Sequence, residues 1–202
     1  FYRVRLTCEG KEGHSGSHPR LNAVMICSRL AAEFKNEFFE NIPIWEGRKP
    51  QWTVTKIEGG SDDFTRVPDR CGINVDIRLT KAWDKEQAQK AIEAILGRLE
   101  IRNFTTIEEL VSAPPYSISD EHPLVSTLLT EAHQEGMAQR GVKVCGPSNV
   151  GNFFAQQNVP VVCGWGPRYK NIHAPNECIC LDDLLKVYNV YARTLKRLAN
   201  DT

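Results

Sequence analysis

Two histidines in this chain stand in segments whose composition is not that of ordinary packing. His173 follows a hydrophobic run, Val159 to Cys163, and a turn containing Gly164 and Gly166; Asn176 and Glu177 come shortly after it. This order reads as a buried strand, a Gly-rich turn and an imidazole beyond the strand's C-terminal end, where open α/β sheets bind ligands. Imidazole is the commonest protein metal ligand, but one histidine cannot build a metal site by itself. Glu177 can orient such a ligand from the second shell or cap the following helix. A purely structural histidine is the alternative. His14 lies in the glycine-rich stretch from Gly10 to Pro19, between a strand and a helix. There it can donate a hydrogen bond to a developing oxyanion, or it and His18 can be solvated turn residues.

Two further segments carry polar groups of interest. Asp76 and Arg78 alternate on one face of a strand, where a guanidinium can clamp a substrate carboxylate or simply form a salt bridge. Ser148 and Asn149 lie in a polar turn, Cys145 to Asn152, that opens a helix. Such a turn can bind an anion or serve as an N-cap.

The elements that must position these groups are legible from periodicity. Residues 2–9 alternate as a half-buried strand, and Arg20 to Phe39 has helical spacing. Strands follow at 52–58 and 71–79, then a helix from an Asp84 N-cap to Leu99, then a strand from Phe104 to Val111. This is the ferredoxin-like βαββαβ order. Ala113-Pro114-Pro115-Tyr116 marks a junction, so the predicted domains are 1–113 and 114–202. The second region should contain helices at 123–139 and 150–157, strands at 143–145 and 159–163, and a final helix at 181–198. That last helix should bury Leu184, Leu185, Val187, Tyr188, Tyr191, Leu195 and Leu198. Two strands are too few for a layered α/β domain, so this region reads as an incomplete one.

Composition narrows the functional classes. With 25 basic and 25 acidic residues in 202, there is no basic excess to recruit nucleic acid. No apolar run approaches the ~20 residues of a membrane span. The chain opens directly on an alternating strand, without an initiator Met, and reads as an internal piece of a longer protein. Seven irregularly spaced cysteines fit small buried hydrophobes in a reducing cytoplasm. The closest pair, Cys178 and Cys180, is too tightly spaced for a metal knuckle.

Taken together, the segments resemble the zinc-dependent amidohydrolase and exopeptidase family of acetylornithine deacetylase, succinyl-diaminopimelate desuccinylase, aminoacylase and the glutamate carboxypeptidases. That family's signature is matched by Gly10, Lys11, His14, Gly16, Pro19, Asn22 and Ala23. Its later motifs are matched by Asp76 with Arg78 and by His173, Asn176 and Glu177. The resemblance covers essentially the whole chain. It implies a lid, or dimerisation, domain followed by the C-terminal portion of a catalytic domain.

The resemblance further implies that His14 reaches across a homodimer interface to stabilise the oxyanion. It makes Arg78 a substrate-binding residue, with Lys143, Ser148 and Asn149, and His173 a zinc ligand backed by Glu177. It implies two zinc ions in the complete protein, and none or an incomplete set here, because the other ligands and the general base lie upstream. The expected substrate is a small N-acyl amino acid or peptide, and the isolated chain is expected to be inactive. Thr65 stands where relatives often have Asn, and Asn149 where many have Asp. The amide of Asn149 removes a charge, which can change substrate preference or merely mark a subgroup. The competing readings are a non-catalytic dimerisation module derived from the family and a ligand-binding ferredoxin-like regulatory domain.

Overall fold

The computed structural model describes residues 1–17, 21–137, 141–146 and 148–200. The chain divides into two compact units, Phe1–Pro115 and Tyr116–Thr202.

The first unit is a four-stranded antiparallel sheet with two helices. In chain order its strands are β1 (Tyr2–Glu9), β2 (Gly13–His14), β3 (Gln51–Gly59), β4 (Arg66–Val67), β5 (Arg70–Arg78) and β6 (Thr105–Ser112). The main sheet runs β3-β5-β1-β6, while β2 and β4 form a separate small ribbon. Alternation decides the faces: Val4, Leu6, Cys8, Ile73, Val75 and Ile77 are buried on one side, and the residues between them are polar. Helices α1 (Ala23–Glu33) and α2 (Lys85–Arg98) share the core with that apolar face. Asn22 caps α1 by accepting from the N–H groups of Val24 and Met25, at 2.9 and 3.2 Å. Asp84 and Gln87 form a reciprocal capping box on α2. The expected βαββαβ order is therefore present, as part of a mixed α/β chain.

The first helix differs from its predicted extent. Its pattern predicts helix as far as Phe39, yet α1 stops at Glu33 and a separate 3-10 turn covers Asn36–Phe39. Tertiary bonds explain the break. The Asn36 side chain accepts from the Trp52 N–H at 3.2 Å, and the Trp52 indole donates to the Lys35 carbonyl at 2.9 Å. Phe34, Phe39, Trp52 and Trp83 pack edge-on and tilted around this point, and burial of these rings outweighs one more helical turn. The predicted start, Arg20, lies outside the described residues.

The second unit contains α3 (Pro123–Gln134), α4 (Gly151–Gln156), a ribbon of β7 (Tyr169–Lys170) and β8 (Cys178–Ile179), and α5 (Leu184–Asn200). Its core is small, with Leu128, Ala132 and Val190 at the centre. Two expectations fail here. Residues 143–145 and 159–163 are not strands, and no strand among the described residues pairs with either. An extended segment becomes a strand only when a neighbour takes its N–H and C=O groups. The final helix also turns its apolar stripe outward: Leu185, Tyr188 and Leu195 are 69%, 68% and 65% exposed, while Val190 and Thr194 are buried. Ion pairs from Arg193 and Arg197 to Glu131 on α3 select the inner face instead. The predicted 123–139 helix ends at Gln134, with a turn at Glu135 and Gly136, and its residues 138 and 139 lie outside the described ones. No helix among the described residues is long and apolar enough to cross a membrane.

Candidate functional site

His14 sits on β2 directly opposite Arg66 on β4, and it is exposed. The Gly16 N–H donates to its Nδ1 at 3.0 Å. With Nδ1 acting as acceptor, a neutral imidazole carries its proton on Nε2. The turn is tied down on both sides: Ser17 N–H donates to the His14 carbonyl at 3.0 Å, and Ser15 N–H to the Thr65 carbonyl at 2.7 Å. Glu12 pairs with Arg66 at 2.8 Å. Beneath the turn the chain approaches itself closely. A Cβ on Gly10 would lie 2.6 Å from the Leu21 carbonyl oxygen and 2.7 Å from the Ala23 nitrogen. Gly10, Asn22 and Ala23 thus build the turn that presents His14. His18 lies outside the described residues.

Thr65, on the opposing turn, has its hydroxyl engaged: both its N–H and its O–H donate to Asp63 Oδ1 at 2.8 Å. Those bonds, the backbone one foremost, hold the Asp63 carboxyl below the usual carboxylate range.

Arg78 ends β5 on the polar face of the sheet. Its Nε lies 2.7 Å from Asp76 Oδ1, and its Nη2 donates to Oδ2 at 3.2 Å. Arg3, the cross-strand partner of Asp76, donates to the same Oδ2 at 2.8 Å. The salt-bridge reading of this pair is realised, with one carboxylate shared between two guanidinium groups.

The Ser148–Asn149 turn closes on itself. Asn149 Oδ1 accepts from the Gly151 N–H at 2.7 Å, and Asn152 Oδ1 accepts from the Asn149 N–H at 3.1 Å. The side-chain oxygen of Asn149 is therefore occupied by the backbone at the start of α4, whose N-cap position is Val150. Ser148 is half-buried beside it, and Lys143 is exposed. Cys145, which opens this turn, packs against the Gly-rich turn that leads toward His173: its Sγ lies 4.0 Å from the Cys163 carbonyl. Gly164 there adopts φ 75°, and a Cβ on it would come within 2.9 Å of that sulfur. Tyr116 borders the same place, and burial, then Cys163, pushes its hydroxyl pKa up.

His173 occupies the loop of the β7–β8 hairpin and is exposed, with φ 58°. Asn171 and Asn176 share that left-handed conformation, which Asn and His tolerate better than most residues. Glu177 touches the loop backbone, accepting from the His173 N–H at 3.4 Å. The hairpin's base is clamped by Arg168, whose backbone N–H and Nε both donate to Asp183 Oδ2, at 2.9 and 2.8 Å, and whose Nη2 donates to Oδ1 at 3.0 Å. The sequence reading missed this clamp. Its two members lie fifteen residues apart, with no periodicity to link them.

A family model described as "Peptidase dimerisation domain", the M20 dimerisation module, matches residues 1–103. The chain belongs to the M20 peptidase family. Similar proteins include the succinyl-diaminopimelate desuccinylases of Pseudoalteromonas translucida, at 23% identity over 96% of this chain and 50% of its own length, and of Acidovorax ebreus, at 28% over 96% and 49%. The M20 chain thus spans about half the length of the curated relatives it matches. Among solved structures, a metallo-carboxypeptidase of the M20 family from Sulfolobus solfataricus matches with a TM-score of 0.72 at 18% identity, covering 96% of this chain and 57% of the other. A Staphylococcus aureus tripeptidase matches with 0.72 at 18%, covering 98% and 52%. At these identities the structural likeness establishes the fold.

Among the described residues, no group of three His, Cys, Asp or Glu side chains could hold a metal ion. A catalytic zinc takes about three protein ligands. The described residues therefore do not fit a complete zinc centre.

Proposed function

We propose that the chain is the dimerisation domain and C-terminal catalytic portion of a metal-dependent hydrolase that cleaves the amide bond of N-acyl amino acids or small peptides. The seating of His14 carries this reading. Its Nδ1 is an acceptor for Gly16 N–H, so Nε2 bears the proton, as a donor to a tetrahedral oxyanion requires. His14 acts in the active site of a two-fold mate, and the homodimer forms through α1 and an edge strand of the first unit. Arg78 contributes to binding the substrate's carboxylate or acyl tail, and Lys143, Ser148 and Asn149 are further substrate-binding residues.

His173 supplies one ligand of a zinc centre whose other ligands belong to polypeptide outside these 202 residues, and Glu177 steadies its loop. The outward apolar stripe of α5 and the segment 159–163, which joins no sheet among the described residues, support that reading, because a larger layered domain would cover both. The isolated chain is then a dimer without amidase activity. Sedimentation velocity across a concentration series, with hydrolysis assays in added zinc, tests both points. A monomer at high concentration removes the dimer, and hydrolysis by the chain alone removes the divided active site.

A further inference from the structure

We propose that Phe64 is a specificity-determining residue that offers an aromatic face to an apolar side chain of the substrate, delivered to the same site as His14. The inference rests on the reading of His14 given above. Phe64 is 100% exposed, whereas Phe34 and Phe39 of the same unit are 9% and 2% exposed. It is the single apolar side chain in the polar turn from Gly60 to Thr65.

The turn that carries it is fixed by its own hydrogen bonds. Asp63 N–H donates to Ser61 Oγ at 3.1 Å, Thr65 N–H to Asp63 Oδ1 at 2.8 Å, and Arg66 N–H to the Asp63 carbonyl at 3.1 Å. It is also bound to the His14 turn, through Ser15 N–H on the Thr65 carbonyl and the His14–Arg66 pairing of β2 with β4. A fully hydrated ring on a turn bonded to the His14 turn is carried with His14. Apolar groups that cover it there gain by leaving water. The flanking carboxylates of Asp62 and Asp63 repel an anionic side chain, so the fitting substrate is an N-acyl amino acid with an apolar or aromatic side chain.

The test uses the complete polypeptide that carries these residues, loaded with zinc, and compares kcat/KM for N-acetyl-phenylalanine and N-acetyl-alanine. The wild type favours the aromatic substrate. Phe64→Ala reduces that preference about ten-fold, the scale expected for lost apolar contact, and Phe64→Leu restores part of it. Melting temperatures of the variants control for folding, and a wholly exposed side chain leaves them unchanged. A preference unaltered in Phe64→Ala, while His14→Ala abolishes hydrolysis of both substrates, overturns the role of Phe64 and leaves that of His14 standing. Full activity in His14→Ala overturns both. A wild type without preference for the aromatic substrate overturns the role of Phe64.

Discussion

Arg193 on α5 closes onto Glu131 on α3, its Nε donating to Oε2 at 2.7 Å while the carboxylate is 0% exposed. Arg197 approaches the other oxygen of the same carboxylate to 2.7 Å, and Arg193 also reaches Glu135 at 2.5 Å. Removing either guanidinium leaves the buried carboxylate short of a partner, which is costly. The arginines, 40% and 51% exposed, are rehydrated when the carboxylate is removed. The apolar contacts between these helices are few, so the ion pairs set which face of α5 turns inward. Replacing Glu131 with Ala should destabilise the second unit by about 1–3 kcal/mol, the scale of lost charge-assisted hydrogen bonds. Hydrogen exchange of the α3 and α5 amides should accelerate while that of β1 and β5 stays slow. Equal protection in the variant would remove the ion pairs from the account of this unit.

A substitution at Gly10 probes the turn that presents His14. An alanine methyl there meets backbone atoms of Leu21 and Ala23 at 2.6 and 2.7 Å, distances that no side-chain rotation relieves. Gly10→Ala should destabilise the first unit by about 1–3 kcal/mol. A shift of the urea midpoint, followed through the buried Trp52 and Trp83, measures it. Gly13→Ala is the control, since a Cβ at that position meets nothing within 4 Å.

The first unit was largely legible because each of its elements covers a core inside the chain. Ile73, Val75 and Ile77 alternate in sequence and lie buried in register against Leu6, Val4 and Tyr2. The ribbon of Gly13–His14 with Arg66–Val67 left no such trace, since two residues per strand carry no period. The second unit misled for the opposite reason. The stripe of Leu184, Leu185, Tyr188 and Leu195 is a sound amphipathic signal, but it says that a face wants covering and not what covers it. Val159 to Cys163 likewise has the composition of a buried strand, and composition alone supplies no hydrogen-bonding neighbour. The placement of His14 and His173 in turn and loop segments was legible from their glycine-rich surroundings. The Arg78 salt bridge was one of the alternatives that strand alternation offered, whereas the bonds that engage Thr65 depend on side-chain geometry that spacing does not encode.

Acid should loosen the His173 hairpin at its base. The Arg168 guanidinium holds the Asp183 carboxyl at a pKa of about 2, below its ordinary 3.8. A depressed carboxylate contributes stability that is complete above the unfolded pKa and is lost as pH falls through the folded one. The clamp is therefore intact from neutrality down to about pH 4, and opens between about pH 4 and pH 2. NMR observation of the Arg168 Nε–H should show its resonance collapse in that window. Asp183→Asn should remove the pH dependence and leave the hairpin less protected at neutrality. A clamp that opens above pH 5 would contradict the assignment.

As the proposed oxyanion donor, His14 should separate binding from chemistry. An oxyanion donor strengthens its bond only as the tetrahedral state develops, so its loss lowers kcat and leaves KM nearly unchanged. In the complete polypeptide, His14→Ala should reduce kcat about 10²–10³-fold, the effect of removing one such donor. Gly16→Pro removes the N–H that donates to Nδ1 while keeping the imidazole. It should lose part of the same rate, through a ring whose tautomer is no longer fixed. Because His14 is proposed to act in the mate's site, an inactive His14→Ala protomer mixed with an inactive His173→Ala protomer should recover activity. One heterodimer site then holds an intact histidine of each kind. Steady-state assays across mixing ratios give the result, and a mixture as inactive as its parents would place His14 outside the partner's chemistry.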